Sequence, residues 1–348
     1  MNEAGTIVRE WRSTSATDLV FTSSSLHRPA TTTPYNLLVH PPKARTIDEP
    51  WTTRRLLAWM SDAFAKKNLD SPRLVAEMLV AHVIGCERLR LVMDPDRPAS
   101  PLERQQLRDL VARALEHEPV HYLIGEKWFY GLPMKVDRRV LIPRPATETI
   151  VDSVLRHSRA QPGFGGPKGD GILIADVCTG SGCIAVALLK YLPGARAVAT
   201  DISADALEVA RLNAERHAVA DRLDLVKGDL LDALDQHPAT LTRGTLHYLV
   251  SNPPYIPDHE WPAVEPNVKN HEPERALRGG QDGLEYVRRV ITGAPERLRE
   301  GGLLLVEVAD STAVEAARLC REHPLLMDVE IVRDFEGLPR VILAHRKA

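Results

Sequence analysis

A chain of 348 residues, with 44% hydrophobic and 26% charged residues, has the length and composition of a folded protein with two domains. Its net charge of −3 argues against binding nucleic acid through a basic surface. No apolar run approaches the roughly 20 residues of a membrane span, no signal-peptide pattern is present, and no metal site is expected. The four cysteines form no CxxC pair, which fits reduced thiols in a cytoplasmic protein better than a disulfide framework.

The N-terminal segment, residues 1–48, is predicted to be a disordered extension. Its Ser- and Thr-rich stretches lack apolar periodicity. The same composition faintly resembles an organelle transit peptide, but Glu3, Glu10 and Asp18 oppose that interpretation. A targeting segment and a misassigned start therefore stay open as alternatives.

Residues 49–118 are predicted to form a small helical domain. Leu57, Met60 and Phe64 recur at helical spacing. Ser100 to Glu103 spells a capping box that opens a further helix. This part of the chain carries no catalytic constellation, so we interpret it as a substrate-recognition domain.

A second predicted helix of this domain lies between Ser71-Pro72 and Gly85. Ser71 is expected to be its N-cap, Pro72 its first residue and Gly85 its stop. His82 falls on the same predicted apolar stripe as Leu79, so we expect it to be a packed core histidine rather than a ligand.

Residues 119–145 are predicted to be a linker built around a β-hairpin. Trp128, Phe129 and Tyr130 precede a Gly-Leu-Pro turn signal. Phe129 is a candidate wall of a substrate pocket. A hydrophobic seam between domains is an equally good interpretation of these aromatic residues.

Residues 146–348 alternate strand and helix patterns, which predicts an α/β fold with a doubly wound, mostly parallel sheet. The last two strands come close together in sequence, which suggests an antiparallel hairpin at the edge of the sheet. Strands are expected at 172–176, 197–200, 223–226, 246–250, 303–308, 329–332 and 341–344, and helices at 183–192, 204–217, 284–299 and 312–322.

A loop of small residues follows the first of these strands and precedes its helix. Such a loop lets backbone N–H groups approach a ligand at a helix N-terminus. Asp201 ends the next strand, where an acidic residue would bind ribose hydroxyls, and Leu230 follows the third strand, where it would flank an adenine. Capping is the alternative role for each acidic residue, but together these positions favour a nucleoside cofactor. The loop consists of Cys178, Thr179, Gly180, Ser181 and Gly182.

The tetrapeptide Asn252-Pro253-Pro254-Tyr255 follows the fourth strand. Consecutive prolines cannot continue a sheet ladder, so they form a stiff bend that presents the Asn252 amide and free carbonyls. A carboxamide together with a carbonyl can accept both hydrogens of a planar –NH2 group. The tetrapeptide therefore indicates an enzyme that acts on an amide or amino nitrogen.

These motifs together resemble the class I S-adenosylmethionine-dependent methyltransferases, and the tetrapeptide is similar to that of members that methylate amide or exocyclic amino nitrogens. Further segments resemble the protein-glutamine N5-methyltransferases, above all the branch acting on the Gly-Gly-Gln loop of class 1 peptide chain release factors. The resemblance covers about residues 50 to 345. The further segments are Glu118 to Gly125, Trp128 to Gly131, Leu141 to Glu148, His271 to Pro273 and Gly279 to Leu284.

The chain departs from this family's pattern at two positions. Cys178 stands where the family commonly has Gly, and a paralogous branch that methylates a ribosomal-protein glutamine shares that spelling. Ala146 stands where the family usually has Asp, whereas Arg144-Pro145 is more like the release-factor branch. Methylation of a ribosomal protein, and less readily of a nucleic-acid amino group, stays an alternative.

The resemblance implies roles for individual residues. S-adenosylmethionine would be the cofactor, held by Cys178 to Gly182, Asp201, Leu230 and Asn252. Asn252 and Pro253 would be catalytic, and Pro254, Tyr255 and Phe129 would also contact the glutamine. Arg144, Glu148 and His271 are weaker candidates, and Glu307 is expected to be a polar contact at a strand end. The partner would be a release factor, and we expect a monomer.

Overall fold

The computed structural model describes residues 50–161 and 163–348, which fall into a unit that ends at Val120 and a unit that spans His121–Ala348. The predicted extension at residues 1–48 lies outside the described residues. Within those residues, no helix has the length and apolar character needed to cross a membrane.

The first unit is helical, as the sequence predicts. Helix α4 begins with the expected capping box: Ser100 Oγ accepts from Glu103 N at 3.2 Å, and Glu103 Oε2 accepts from Ser100 N at 2.7 Å. Leu107 and Val111 on this helix are buried, as its periodicity indicates. The helices of this unit are α1 (Thr53–Lys66), α2 (Pro72–Ile84), α3 (Arg88–Met93) and α4 (Pro101–Leu115).

One expectation for α2 holds in position only, and another is wrong. Ser71 is the N-cap residue, as expected, but it has a left-handed backbone (φ +48°) and makes no side-chain cap hydrogen bond, whereas Pro72 begins the helix. His82 is exposed, because the packed face of α2 is formed by Ala76, Leu79 and Val80.

The second unit contains a hairpin followed by alternating strands and helices. The hairpin pairs β1 with β2 antiparallel, where the aromatic run and its turn predict one. The elements are α5 (Val120–Ile124), β1 (Glu126–Phe129), β2 (Leu132–Lys135), α6 (Glu148–Ala160), β3 (Leu173–Val177), α7 (Cys183–Tyr191), β4 (Arg196–Asp201), α8 (Ala204–Arg216), β5 (Leu223–Lys227), β6 (Leu246–Ser251), α9 (Pro266–Lys269), α10 (Glu285–Gly293), β7 (Leu298–Glu307), α11 (Ala313–Glu322), β8 (Leu326–Arg333) and β9 (Pro339–Arg346).

The large sheet has seven strands in the order β5-β4-β3-β6-β7-β9-β8. The first five are parallel, whereas β9 pairs antiparallel with both β7 and β8. The predicted doubly wound sheet with an antiparallel edge hairpin is thus confirmed. The direction of chain progression reverses between β3 and β6, which is the place where open α/β sheets bind ligands.

Both faces of the central strands are buried. Ile174 and Val250 belong to a core cluster with residues of α6 and α7, whereas Ala175 and Leu249 belong to a cluster with residues of α10 and α11. Alternate side chains point to opposite faces of a strand, so each central strand needs apolar residues at nearly every position. This requirement accounts for the continuous apolar runs in the sequence.

The helix predicted at 284–299 is shorter than expected, and the strand after it begins earlier. Helix α10 ends at Gly293, and β7 begins at Leu298 rather than at residue 303. Pro295 has no N–H with which to continue the helical hydrogen bonds, so the helix stops although Ala294 before it still has a helical backbone. Leu298 instead pairs with Leu246 of β6. The register then shifts, and the regular β6–β7 pairing begins with Tyr248 opposite Leu303.

Candidate functional site

A cavity of about 490 Å³ lies in the second unit, where the carboxyl ends of β3, β4, β5 and β6 meet. Its walls come from the loops after these strands, from an earlier segment at residues 139–147 and from a later segment at residues 273–276. The lining residues are Arg139, Val140, Leu141, Pro143, Thr147, Cys178, Thr179, Gly180, Ser181, Cys183, Ile184, Asp201, Ile202, Ser203, Ala206, Asp229, Leu230, Asn252, Pro254, Pro273, Glu274, Arg275, Ala276 and Tyr286.

The loop between β3 and α7 turns tightly through three left-handed residues. Cys178, Gly180 and Gly182 have φ values of +63°, +55° and +78°. A Cβ on Gly182 would lie 3.0 Å from Ala210 Cβ, so glycine there allows the loop to pack closely on α8. The loop is therefore pressed against the end of the sheet, with its residues along the cavity wall.

Asp176, the penultimate residue of β3, anchors this loop. Its Oδ2 accepts from Thr179 Oγ1 at 2.7 Å and from Ala185 N at 3.2 Å, and this joins the loop to the start of α7. The second carboxylate oxygen, Oδ1, is buried without a hydrogen-bond partner in the described residues. Burial raises the pKa of Asp176 to about 7.

Asp201, at the end of β4, holds the loop from the side. Its Oδ2 accepts from Gly180 N at 2.9 Å, and its Oδ1 accepts from Ser203 N at 2.9 Å. Burial raises its pKa, and nearby Arg275 acts in the opposite direction. Each carboxylate oxygen can accept more than one hydrogen bond, so Asp201 retains acceptor capacity toward the cavity that it lines.

Leu230 reaches the same cavity from the loop after β5. Its backbone is left-handed (φ +48°), and its carbonyl accepts from the buried Thr200 hydroxyl at 3.2 Å. The neighbouring Asp229, also on the cavity wall, is paired with Arg289 at 2.6 Å. Leu230 thus gives this end of the cavity an apolar surface, whereas Asp201 gives the adjacent wall an acidic one.

Asn252 lies where β6 ends, and its amide is held on one side. Its Nδ2 donates to Thr147 Oγ1 at 3.2 Å. Within the described residues no donor reaches Asn252 Oδ1, and none reaches the Pro253 carbonyl. Two acceptors without partners therefore lie next to each other in this bend, beside the cavity that Asn252 and Pro254 line.

Tyr255 turns away from this cavity toward a buried carboxylate. Its hydroxyl donates to Glu307 Oε1 at 3.1 Å. Glu307, the last residue of β7, has no exposed surface, and its Oε2 is without a hydrogen-bond donor in the described residues. Burial raises the pKa of Glu307 to about 7, opposed by the hydrogen bond from Tyr255.

The two outer walls of the cavity are tied together by an ion pair. Glu272, nearly fully buried, accepts from Arg144 Nη2 at 2.6 Å and from Ile142 N at 3.0 Å. Glu148 has a different partner: its Oε1 accepts from Tyr130 N at 2.7 Å. Arg144 thus pairs with Glu272 rather than with Glu148, and the pair joins the segment after the hairpin to the segment after α9.

The structure brings most of the predicted site residues together. Cys178, Thr179, Gly180, Ser181, Asp201, Leu230, Asn252 and Pro254 all line the cavity. Gly182 and Pro253 lie next to lining residues in the chain. Phe129 is placed elsewhere: it is 1% exposed and belongs to the core cluster on one face of the sheet.

Sequence reasoning did not find Thr147 or the wall formed by residues 273–276. Both belong to segments that the family resemblance covers, so the resemblance was the available signal. Thr147 is a buried hydroxyl 105 positions before its partner Asn252. Only the fold reveals such a contact.

Comparison with known proteins agrees with this geometry. The family model described as "PrmC N-terminal domain" matches residues 55–125, and the "Methyltransferase small domain" model matches residues 168–269. A relative from Chlorobaculum tepidum, named release factor glutamine methyltransferase, is 41% identical over 84% of this chain and 97% of its own length. One of the same name from Geobacter sulfurreducens is 40% identical over 84% of this chain and 96% of its own length.

A solved protein-(glutamine-N5) methyltransferase from Alicyclobacillus acidocaldarius is 30% identical, over 62% of this chain and all of its own, with a TM-score of 0.35. The sheet topology, the cavity at the strand ends and the matched domain define the chain as a methyltransferase of the class I type. The 40–41% identity to the two relatives over most of both chains shows the family as well: the chain belongs to the release factor glutamine methyltransferase family.

Proposed function

We propose that this enzyme transfers a methyl group from S-adenosylmethionine to the side-chain amide nitrogen, N5, of the glutamine in the Gly-Gly-Gln loop of class 1 release factors. The observation that carries the proposal is the free acceptor pair of Asn252 Oδ1 and the Pro253 carbonyl beside the cavity. The relatives are release factor glutamine methyltransferases by name, which supports the same substrate here.

The cavity fits the proposed cofactor. Its volume of about 490 Å³ lies within the usual range of pockets for small molecules and cofactors. Asp201 offers acceptors for ribose hydroxyls, Leu230 an apolar face for a base, and the tight loop from Cys178 to Gly182 a close backbone approach. When bound, S-adenosylmethionine supplies an electrophilic methyl group.

The residues of the bend orient the amide of the substrate glutamine. A glutamine amide nitrogen is a weak nucleophile, because its lone pair is delocalised into the carbonyl. Asn252 Oδ1 and the Pro253 carbonyl would accept its two hydrogens and aim the nitrogen into the cavity. These acceptors also stabilise the positive charge that develops at nitrogen during transfer. Orientation of this kind supplies up to about 7–11 kcal/mol in the best cases.

A second, smaller cavity supports an approach route for the substrate loop. It has a volume of about 320 Å³, it is lined by Tyr255, Arg144 and Val268 among others, and it shares Leu141 and Ala276 with the larger cavity. We propose that residues flanking the glutamine occupy this space. No general base is needed before transfer, since the alkylated amide nitrogen is strongly acidic and loses its proton to water.

We further propose that residues 49–118 recognise the release factor and that residues 119–145 link them to the methyltransferase domain at residues 146–348. We also propose that the enzyme is a cytoplasmic monomer that makes no direct contact with nucleic acid. Exposed Leu89, Val92 and Met93 on the short helix α3 support a recognition role. The four cysteines are free thiols, which supports a reducing compartment.

The test is transfer of a labelled methyl group to a purified class 1 release factor, to the same factor with its loop glutamine replaced, to the ribosomal protein and to DNA or RNA. Asn252→Ala should abolish transfer to the release factor. Its cofactor affinity should stay within about tenfold, roughly 1.4 kcal/mol, because Asp201 and the loop after β3 remain. Full activity of this variant, or a preference for another substrate, would refute the proposal.

A further inference from the structure

The smaller cavity, of about 320 Å³, has mostly apolar walls and two charged side chains. The charged residues are Arg144 and Glu265. Glu265 is exposed, whereas the Arg144 side chain is only 32% exposed. A few polar groups among apolar walls fix the orientation of a ligand, so the half-buried guanidinium is the group best placed to orient an occupant. The other lining residues are Leu141, Tyr255, Ile256, Ala263, Val264, Val268, Ala276 and Leu277.

The stiff Pro-Arg-Pro segment directs Arg144 to this cavity. Arg144 has an extended backbone (φ −95°, ψ 144°), which the following Pro145 favours. Successive side chains of an extended segment point to opposite sides. Accordingly, Pro143 lines the larger cavity, whereas Arg144 lines the smaller one. The segment thus forms part of the wall of both cavities.

Glu272 holds the guanidinium in place. Its side chain is almost fully buried, its Oε1 accepts from Arg144 Nη2 at 2.6 Å, and its Oε2 accepts from Ile142 N at 3.0 Å. The ion pair is therefore anchored to the backbone of the same segment. Within the part of the chain that the structure describes, no other acceptor reaches Arg144, so its remaining N–H groups are free to donate.

We propose that the smaller cavity binds the polypeptide backbone next to the methylated glutamine, and that the Arg144 guanidinium donates to a backbone carbonyl of that segment. The inference rests on the function proposed above. It adds a substrate-binding residue and the kind of group that this residue recognises.

The position of the cavity and its charges favour a polypeptide backbone as the occupant. Tyr255 belongs to the bend proposed to bind the glutamine amide, and Leu141 and Ala276 line both cavities, so the two spaces adjoin. A backbone offers carbonyl acceptors to Arg144 and N–H donors to the Glu265 carboxylate. The same carboxylate disfavours an anionic occupant, because like charges repel.

A donor that is fixed before binding adds affinity at little entropic cost. Arginine ordinarily loses side-chain freedom when it contacts a ligand, but Glu272 already restrains Arg144. The contact would be made to backbone rather than to the reacting amide, so it acts equally in the ground state and in the transition state. Its removal should raise the KM for the substrate without lowering kcat.

The decisive experiment compares kcat, the KM for a release factor and the KM for S-adenosylmethionine in the wild type and in Arg144→Lys. Lysine keeps a positive charge beside Glu272, but its single ammonium has no planar fork with which to reach a second acceptor. We expect the KM for the release factor to rise by about 10- to 100-fold, as for the loss of a hydrogen bond from a charged donor. The kcat and the KM for S-adenosylmethionine should each change by less than about threefold.

Arg340→Lys is the matched control. Arg340 Nε donates to the buried Asp334 carboxylate at 2.9 Å, and its side chain is half-buried like that of Arg144, but it lines neither cavity. This change also weakens an ion pair with a buried carboxylate. It should lower the melting temperature about as much as Arg144→Lys does, with no effect on the KM for the release factor.

A second variant tests whether the substrate occupies the cavity, independently of the ion pair. Ala263 lines the cavity and is an exposed residue, so the fold can accept Ala263→Phe while the ring takes up space in the cavity. We expect this variant to raise the KM for the release factor as Arg144→Lys does, with a melting temperature close to that of the wild type. If Arg144→Lys does not fold, Ala263→Phe still tests the subsite.

A change in the substrate separates recognition of backbone from recognition of side chains. A release factor in which the residues flanking Gly-Gly-Gln are changed to alanine keeps its backbone carbonyls. The ratio of KM values between Arg144→Lys and the wild type should be the same for this substrate. Loss of the ratio would show that Arg144 contacts a side chain, and the backbone assignment would be wrong.

The outcomes distinguish this inference from the proposed function. A wild-type enzyme that does not methylate release factors contradicts the proposed function. An active wild type whose KM for the release factor is retained in both Arg144→Lys and Ala263→Phe contradicts the subsite alone. A lower kcat at unchanged KM in Arg144→Lys would also overturn it, because Arg144 would then only hold the cavity walls together.

Discussion

At the residue scale, Cys178 combines a strained backbone with a place on the cavity wall. Its φ of +63° lies in the left-handed region, where a residue with a Cβ is disfavoured by roughly 1–2 kcal/mol. Burial and the neighbouring Asp201 raise the pKa of its thiol, which favours the protonated form. The family's common Gly at this position is explained by the same turn.

Replacements at residue 178 should follow backbone preference rather than side-chain chemistry. We expect Cys178→Gly to retain both folding and methyl transfer, because glycine adopts this conformation without strain. Cys178→Val should be less stable than Cys178→Gly by about 1–2 kcal/mol, since a β-branched residue tolerates positive φ poorly. Urea unfolding of the two variants measures the difference, and equal midpoints would show that φ does not limit this position.

At the element scale, the segment Gly279 to Gly283 supports the bend from Asn252 to Tyr255, which we propose binds the substrate amide. The chain after the bend pairs with it: Ile256 N donates to the Leu277 carbonyl at 2.8 Å, and Gly279 N donates to the Ile256 carbonyl at 2.8 Å. A Cβ on Gly279 would lie 2.7 Å from Tyr255 Cα. The glycine therefore lets two stretches of backbone touch.

Gly279→Ala should displace the bend and lower both stability and activity. The added methyl group meets backbone, which cannot move aside as a side chain can, so we expect a loss of about 1–3 kcal/mol of folding free energy. The kcat should fall as well, because Asn252 and Pro253 belong to the displaced bend. Chemical denaturation and the methyl-transfer assay measure the two effects.

Gly293, at the end of α10, offers a matched control. A Cβ there would lie 2.6 Å from Leu231 Cδ1, which is the end of a flexible side chain. Gly293→Ala should thus cost less stability than Gly279→Ala and spare the bend. If Gly279→Ala proves as active as Gly293→Ala, the close approach does not position the substrate bend.

At the scale of the whole molecule, two half-buried histidines couple the fold to pH. His157 packs on the face of the sheet opposite α10, 3.0 Å from the Tyr248 hydroxyl and with its ring 4.7 Å from that of Phe164. Burial, together with His345, lowers its pKa to about 4. Burial also lowers the pKa of His121 to about 4.

These pKa shifts predict acid destabilisation. An unfolded histidine binds its proton near pH 6.5, whereas the folded protein resists it down to about 4, so the unfolding free energy falls as the pH decreases through this window. His157→Gln, which keeps a partner for Tyr248, should lose less stability between pH 7 and pH 5 than the wild type. Because His121 remains, the pH dependence of the unfolding free energy should become smaller in this variant but should not disappear.

Melting temperatures of both proteins at several pH values between 5 and 7 provide the measurement. Parallel curves for the wild type and His157→Gln would show that His157 takes no part in the acid response. Convergence of the two curves at lower pH is the expected result, since only the wild type must keep His157 neutral.

Local patterns predicted the elements of this protein better than their contacts. The capping box at Ser100, the apolar strands before the cofactor loop and at Asp201, and the bend at Asn252 are short-range features. Each lies within one residue of the predicted place. The exposed His82 and the early start of β7 at Leu298 were missed, because burial of one helix face and pairing with a distant strand depend on neighbours that periodicity does not name.

The sequence by itself determined the class of fold, the family and the loops that meet at the cavity. Parallel strands align their carboxyl ends at one edge of the sheet, and each loop at that edge has a recognisable sequence motif. Only the tertiary structure decided which polar groups are joined. Thr147 lies beside Asn252, Arg144 beside Glu272 and Tyr255 beside Glu307 over separations of 105, 128 and 52 positions. Hydrogen bonds between residues so far apart in the chain leave no local pattern in the sequence. They are fixed by the packing of the sheet and its helices.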